Sequence, residues 1–425
     1  MRKIIFTVFI LTIVGLTFIL YVGVREELLQ LSFVNFRKDS YLLVEGKAEN
    51  DRFFIIQSGK VRTFRQGSSL SDSNAVLGPG DFIGVIPCMS AHSQIETALA
   101  LTDVVVISVN REQYPALISK NTPVAMKIIR TFANRMRVVN EILTRLTLKN
   151  TVADSPEKMY SIASYYDKMG KTDLAVFGYY QYMKECPDGI HSDKAKKRFI
   201  TLKARSHAVH FESSAGNMRN YPKDTMIFSE CQSGQDMFII QSGKVKISKV
   251  VEDNEVILAV LQKGDFFGEM ALLENKPRSA SAIAHEDCAL TVVNRKNFDQ
   301  MVATQPQLIT RLTVTLAERL WSMSRQLINA QLRDPMFKLF DMLALQLEKN
   351  RVPLNKGSSY QFDLTPYDLA NMCGIPQEQQ AIALGQFIKD SRVRLVSNKI
   401  YIADCRELMK AAEFYRKQKQ QPSAH

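Results

Sequence analysis

The octapeptide FIIQSGKV stands at Phe54–Val61 and again, unchanged, at Phe238–Val245, an offset of 184 in a chain of 425 residues. Eight consecutive identities mean that one folding unit has been copied within the chain. The same offset carries Gly80-Asp81-Phe82 onto Gly264-Asp265-Phe266, and Lys38-Asp39 recurs one residue out of step as Lys223-Asp224. Each copy alternates apolar and polar residues in short runs broken by Gly, Asp and Asn, then ends in a stretch of helical period. The pattern predicts two small antiparallel β-rolls capped by helices, over residues 33–150 and 215–332. Helical segments between and after them make the class α+β.

Composition bounds the remainder. At roughly 150 residues per domain, the length suggests about three folded units. Apolar residues at 46% and charged residues at 23% are the ordinary globular balance, against wholesale disorder or a polytopic membrane protein. Lys and Arg number 55 against 43 Asp and Glu, a net charge of +12. That excess favours an anionic partner such as DNA or a phospholipid surface, the alternative being a solvated basic exterior. Cys88, Cys186, Cys231, Cys288, Cys373 and Cys405 include no C-x-x-C pair and no His at zinc-ligand spacing. No metal site or disulfide scaffold is expected, and free thiols suit a reducing compartment. There is no phosphate loop or nucleophile elbow, and His92, His191, His207, His210 and His285 read as surface or packing residues. No enzyme and no cofactor are expected.

Between Lys3 and Arg25 run 21 uncharged residues, IIFTVFILTIVGLTFILYVGV, about 31 Å long if helical. Residues 1–24 thus read as an uncleaved anchor, the membrane being crossed by residues 4–24, since VGVREE is a poor cleavage site. Basic residues flank both ends, so orientation stays open. The expectation is the cytoplasmic face of the inner membrane. If the run is instead translated upstream sequence from a mis-assigned start, the chain is soluble and cytoplasmic.

The second copy reads GDFFGEMALLENKPRSASAIA over Gly264–Ala284. Gly268 lets the chain approach a ligand, EMALL can open a short helix whose free N–H groups face an anion, and Arg278 follows an Asn275-Lys276-Pro277 turn. An Arg fork can grip a phosphate bidentately, and Glu269 would meet a hydroxyl donor rather than the phosphate. The alternative is a surface turn bearing an ordinary Arg and Glu. FGEMALL followed by PRSAS resembles the phosphate-binding cassette of cyclic nucleotide-binding domains. The resemblance implies that Gly268 and Glu269 hold the ribose, that Arg278 and Ser279 hold the cyclic phosphate of cAMP or another cyclic nucleotide, and that a C-terminal helix closes over the base. In the first copy the offset brings Glu269 onto Val85, Arg278 onto Gln94 and Ser279 onto Ile95. Losing one charge-assisted bond costs about 1.5–3 kcal/mol, so the first copy is expected to bind no cyclic nucleotide and to serve as a structural or docking module.

Between the copies, residues 155–205 contain two amphipathic helices broken at Gly170. Tyr166, Gly170, Ala175, Tyr179 and Pro187 resemble one tetratricopeptide unit, read as a helical spacer packed on a neighbour or a surface for a protein partner. After the second copy, Leu312, Leu316, Leu320, Met323 and Leu327 form a seam at helical spacing over Pro306–Leu332. It is read as a homodimer helix rather than one lying on its own domain. Met323 and Ser324 fall where the base would meet this helix.

In residues 335–410, Thr365 can cap a helix from Pro366, Gly374 ends it, Pro376 opens another, and Arg392–Ile402 alternates like a hairpin. This predicts a winged helix-turn-helix. Residues from about 215 to 405 resemble the cAMP receptor protein and Fnr family of bacterial transcription regulators. That resemblance implies base contacts from Gln377, Glu378, Gln379 and Gln380, and phosphate contacts from Lys389, Arg392, Arg394 and Lys399. The expected function is a cyclic-nucleotide-responsive transcription regulator. The rivals for the output are a winged helix kept for protein contact and a membrane-tethered nucleotide-binding scaffold. The polar tail, 416–425, is expected to be disordered.

Overall fold

A computed structural model describes residues 5–13, 16–24, 31–48, 50–65, 75–148, 155–207, 217–251 and 254–418. The N-terminal apolar run forms two strands, β1 (Ile5–Ile13) and β2 (Leu16–Val24), paired antiparallel from Ile5↔Val24 to Ile13↔Leu16. This overturns the anchor and the inner-membrane location drawn from it: among the described residues no helix is long and apolar enough to cross a membrane. The physical reason lies in the residue types. Ile, Val, Thr, Phe and Tyr dominate the run, and β-branched and aromatic side chains favour the extended chain.

The first copy runs β3 (Ser32–Phe36), β4 (Tyr41–Leu43), β5 (Arg52–Ser58), β6 (Val61–Phe64), β7 (Ala75–Leu77), β8 (Phe82–Ile83), helix α1 (Val85–Ser90), β9 (Thr97–Ala100) and β10 (Val104–Asn110). Helices α2 (Tyr114–Lys120) and α3 (Thr122–Leu148) follow. Its two antiparallel sheets have the orders β3-β10-β5-β8 and β4-β9-β6-β7. Phe54, Ile56, Val61, Ala98 and Val106 fill the space between them, each on the inward side of an alternating strand.

Three helices then connect the copies: α4 (Lys158–Lys168), α5 (Thr172–Glu185) and α6 (Ser192–Lys203). Tyr166, Ala175 and Tyr179 are buried in one cluster with Met226, Val250 and Ile283 of the second copy. Lys158 and Lys249 both reach the fully buried Glu230, at 3.0 and 3.1 Å, which pins α4 to the second roll. The spacer therefore spends its inner face on its neighbour.

The second copy repeats the plan with β11 (Met218–Tyr221), β12 (Met226–Phe228), β13 (Met237–Ser242), β14 (Val245–Val251), β15 (Asn254–Leu261), β16 (Phe266–Phe267), helix α7 (Glu269–Glu274), β17 (Ser281–Ala284) and β18 (Cys288–Val293). Its sheets are β11-β18-β13-β16 and β12-β17-β14-β15, strand for strand the order of the first copy. Helices α8 (Arg295–Thr304) and α9 (Pro306–Ala330) close it.

The seam on α9 is covered from within the chain. Helix α3 packs along it, so Leu312, Leu316 and Leu320 share one core with Ile128, Phe132 and Met136. A row of apolar residues at helical spacing accepts a helix from its own chain as readily as one from a second copy, and here the duplicated domain supplies it. The two helices cross so that each rests on the other copy's short helix: α9 lies against α1 and α3 against α7.

The C-terminal part consists of α10 (Pro335–Lys349), β19 (Tyr360–Gln361), α11 (Pro366–Met372), α12 (Gln377–Lys389), the hairpin β20 (Val393–Val396) and β21 (Lys399–Ile402), and α13 (Cys405–Gln418). Thr365 caps α11 through a reciprocal bond with Asp368, as its sequence predicts. Helix α13 extends three residues into the segment expected to be disordered, because Arg416 is tied at 3.2 Å to the buried Asp341. Residues 419–425 of that tail lie outside the described residues.

Candidate functional site

The site forms where β16 turns into α7. Gly268 precedes the helix at φ +76°, a left-handed conformation that glycine adopts without strain. A Cβ there would lie 2.7 Å from Arg278 Nη1, and one on Gly234 would lie 2.5 Å from Arg278 Nε. Two glycines thus clear a slot for one guanidinium. Arg278 lies in it only 6% exposed, over the Phe228 ring at 4.3 Å, and its Nη1 donates to the Gly268 carbonyl at 2.7 Å.

A second nitrogen of that guanidinium is unsatisfied. Its Nε is buried without a hydrogen-bond partner among the described residues. Burial pulls the pKa of Arg278 down to about 10, partly opposed by the carboxylates of Asp236 and Glu269, so it remains a cation at neutral pH. A buried cation held by a ring, one carbonyl and distant carboxylates gains most from a doubly contacting anion. Ser279, next in the chain, directs its hydroxyl to Met270 Sδ at 3.7 Å.

Glu269 is buried at the first position of α7, where a carboxylate complements the helix dipole. Its nearest cation comes from α9: Arg319 approaches it at 3.4 Å while donating to the Phe266 carbonyl at 2.5 Å. Arg319 was not apparent from the cassette motif. It falls 184 residues after Arg135, so the internal offset carries the signal. Met323 packs against the main core and Ser324 lies fully buried in the α9 row, its Oγ without a hydrogen-bond partner among the described residues.

The corresponding place in the first copy keeps the backbone and loses the chemistry. Gly84 has φ +76° and starts α1, but the atom facing its absent Cβ is Leu43 Cδ1 at 2.7 Å. Gln94 and Glu96 are buried, and Glu96 is held bidentately by Arg135 at 2.5 and 3.3 Å. Burial opposes the charge on Glu96, but Arg135, with Arg65, outweighs it and holds the carboxyl below its usual range. A side-chain carboxylate thus answers the helix arginine from within the first copy.

The eight residues expected at DNA fall into two groups. Gln377, Glu378, Gln379, Lys389 and Arg394 are exposed. Gln380 is buried and bridges Asn371 Oδ1 and the Ile375 carbonyl, both at 2.9 Å. Arg392 donates to both carboxylate oxygens of Asp390 and to the Tyr415 hydroxyl, and stacks on Phe340 at 4.2 Å. Lys399 pairs with Asp363. Gln380 and Arg392 are therefore corrected to packing roles: the first lies on the inward face of α12, and the second has a carboxylate two residues away.

Comparison with known proteins agrees with this geometry. A family model described as a cyclic nucleotide-binding domain matches residues 33–121 and 218–305. The Cyclic AMP receptor protein of Thermus thermophilus is 30% identical over 184 residues, 42% of this chain and 79% of that one. A CRP-like cAMP-activated global transcriptional regulator of Mycobacterium tuberculosis is 28% identical over 196 residues, 45% of this chain and 87% of its own. The human cGMP-dependent protein kinase 2 is 41% identical over 91 residues, 21% of this chain and 12% of the kinase.

Proposed function

Because the chain belongs to the cyclic nucleotide-binding family of the cyclic AMP receptor proteins, we propose that it is a non-enzymatic, cyclic-nucleotide-responsive transcription regulator. The receptor is the second cassette and the output is the C-terminal domain, a winged helix-turn-helix. The observation that carries this reading is Arg278, a buried cation beside the start of α7 whose Nε has no hydrogen-bond partner among the described residues. A cyclic phosphate completes it with charge-assisted bonds, and Ser279 adds a hydroxyl. Glu269 accepts from a ribose hydroxyl beside the Gly268 backbone. The ligand is cAMP, the nucleotide in the names of the bacterial relatives, with cGMP the alternative suggested by the kinase.

Ligand binding changes the partner of Glu269 and with it the hold of Arg319 on the cassette. Arg319 belongs to α9, and six residues further on Arg325 of the same helix is buried against Asp341 at 3.4 Å and Glu348 at 3.0 Å of α10. A shift of α9 therefore moves the output domain, a population shift set by the ligand's differential affinity for two arrangements. The α4–α5 hairpin, one tetratricopeptide-like unit, acts as a spacer.

DNA binding is tested by fluorescence anisotropy on mixed genomic fragments across a salt series, with and without cAMP. With Lys389 and Arg394 as the free cations among the eight candidates, a ligand-dependent affinity with a log–log salt slope of about −2 is expected. Affinity absent in both states removes DNA as the output. The domain is then a protein-contact module, a reading favoured by Ile382, 70% exposed on α12, a helix with no arginine.

A further inference from the structure

We infer that the first copy serves in cis as a positioning subunit of the nucleotide site, through Arg137 on α3. The inference rests on reading the second cassette as the receptor. Arg137 and Glu274 are an ion pair between side chains each 7% exposed, the one from the first copy and the other at the end of α7. The same guanidinium donates from Nη2 to the Pro277 carbonyl at 3.2 Å. Glu274 and Pro277 bracket the exposed turn Asn275–Lys276, and Arg278 follows immediately. One residue of the ligand-incompetent copy thus clamps both ends of the turn that delivers the phosphate-binding arginine.

The internal symmetry supplies a control. The 184-residue offset carries Arg137 onto Trp321, and carries Ser90 and Ser93 onto Glu274 and Pro277. Across the pseudo-twofold, Trp321 Nε1 donates to the Ser93 carbonyl at 3.1 Å and the ring stacks on His92 at 3.9 Å. Both crossings brace a cassette turn with a helix of the other copy. Ser93, however, leads to Gln94, which has no phosphate to hold, whereas Pro277 leads to Arg278. Arg137 acts through the turn and touches no ligand, so it is a positioning residue.

Calorimetry of the full chain with cAMP and with cGMP tests this, with unliganded melting temperature as the second readout. Arg137→Gln should weaken binding by about tenfold to a hundredfold, the scale for a misplaced binding group. Arg137→Lys, which keeps the charge but cannot fork between two acceptors, should restore part of the loss. Trp321→Phe, which loses only the mirrored donor, should keep wild-type affinity even if its melting point falls. Should Arg137→Gln not fold, Glu274→Gln serves in its place, with a smaller expected loss. Wild-type affinity in the Arg137→Gln or Glu274→Gln variant overturns the inference, as do equal losses at Arg137 and Trp321, which would mean general loosening of the junction. If the unmutated chain binds neither nucleotide, the receptor reading has failed and the inference goes with it.

Discussion

In both rolls a glycine at φ +76° starts the cassette helix and a residue at positive φ ends it, Ala91 at 58° in the first and Asn275 at 56° in the second. The backbone that can surround a cyclic phosphate is thus present twice. What differs is the filling. In the second roll the slot made by glycine holds Arg278 over an aromatic ring, while in the first it holds Leu43, and the helix arginine there is satisfied by Glu96. Backbone conformation is set by glycines and sheet order, and ligand chemistry by a few buried charges, so one can persist where the other is lost.

The comparison is broken most directly at the two equivalent positions. Arg278→Ala should lower cyclic nucleotide affinity by about a hundredfold or more, since charge-assisted contacts to a buried group are lost. Gln94→Ala should leave it within about twofold, as read by calorimetry. Comparable losses from both would mean that the copies are not functionally distinct.

The next effect concerns the first roll alone. Glu96→Gln removes the carboxylate from a largely buried pair and should destabilise the chain by roughly 3 kcal/mol in urea unfolding, because the Arg135 guanidinium loses its bidentate carboxylate, with nucleotide affinity unchanged. The carboxyl of Glu96 titrates below its ordinary value when folded. Its contribution is therefore complete above the unfolded pKa of about 4.3 and lost as pH falls through the lower folded value. A Glu96→Gln chain that unfolds like the wild type would show that the pair does not hold the first roll together.

The smallest expected effect is at the junction. Burial under Trp321 and the nearby Arg351 push the His92 pKa down to about 4, only partly opposed by Glu348. The folded form thus resists protonation, and stability present above the unfolded value of about 6.5 is lost as pH falls toward about 4. His92→Gln should flatten this part of the stability profile, and an unchanged profile would exclude His92 as its source.

The duplication and the backbone of the second cassette are legible because each rests on local spacing: an exact repeat, and a Gly-Glu helix start followed by Pro-Arg-Ser. The N-terminal run is ambiguous in sequence because apolarity and length fit a membrane helix and a strand pair alike, and only its β-branched content decides between them. The seam on α9 was visible but not its partner, since an apolar row does not encode whether α3 of the same chain or a second copy covers it. Arg137 meets the cassette only because α3 crosses over from the first copy, and Arg319 only because α9 packs back onto its own roll; no short motif records either. Gln380 and Arg392 have the right residue types for DNA, but the inward face of α12 and the neighbouring Asp390 claim them.

One receptor in a chain built from two like rolls is tested most directly by the stoichiometry of nucleotide binding to the 425-residue chain. Isothermal titration with cAMP and with cGMP should saturate at one nucleotide per chain for at least one of them, the site vanishing in Arg278→Ala. Saturation at two per chain, or binding that survives in Arg278→Ala, would contradict it.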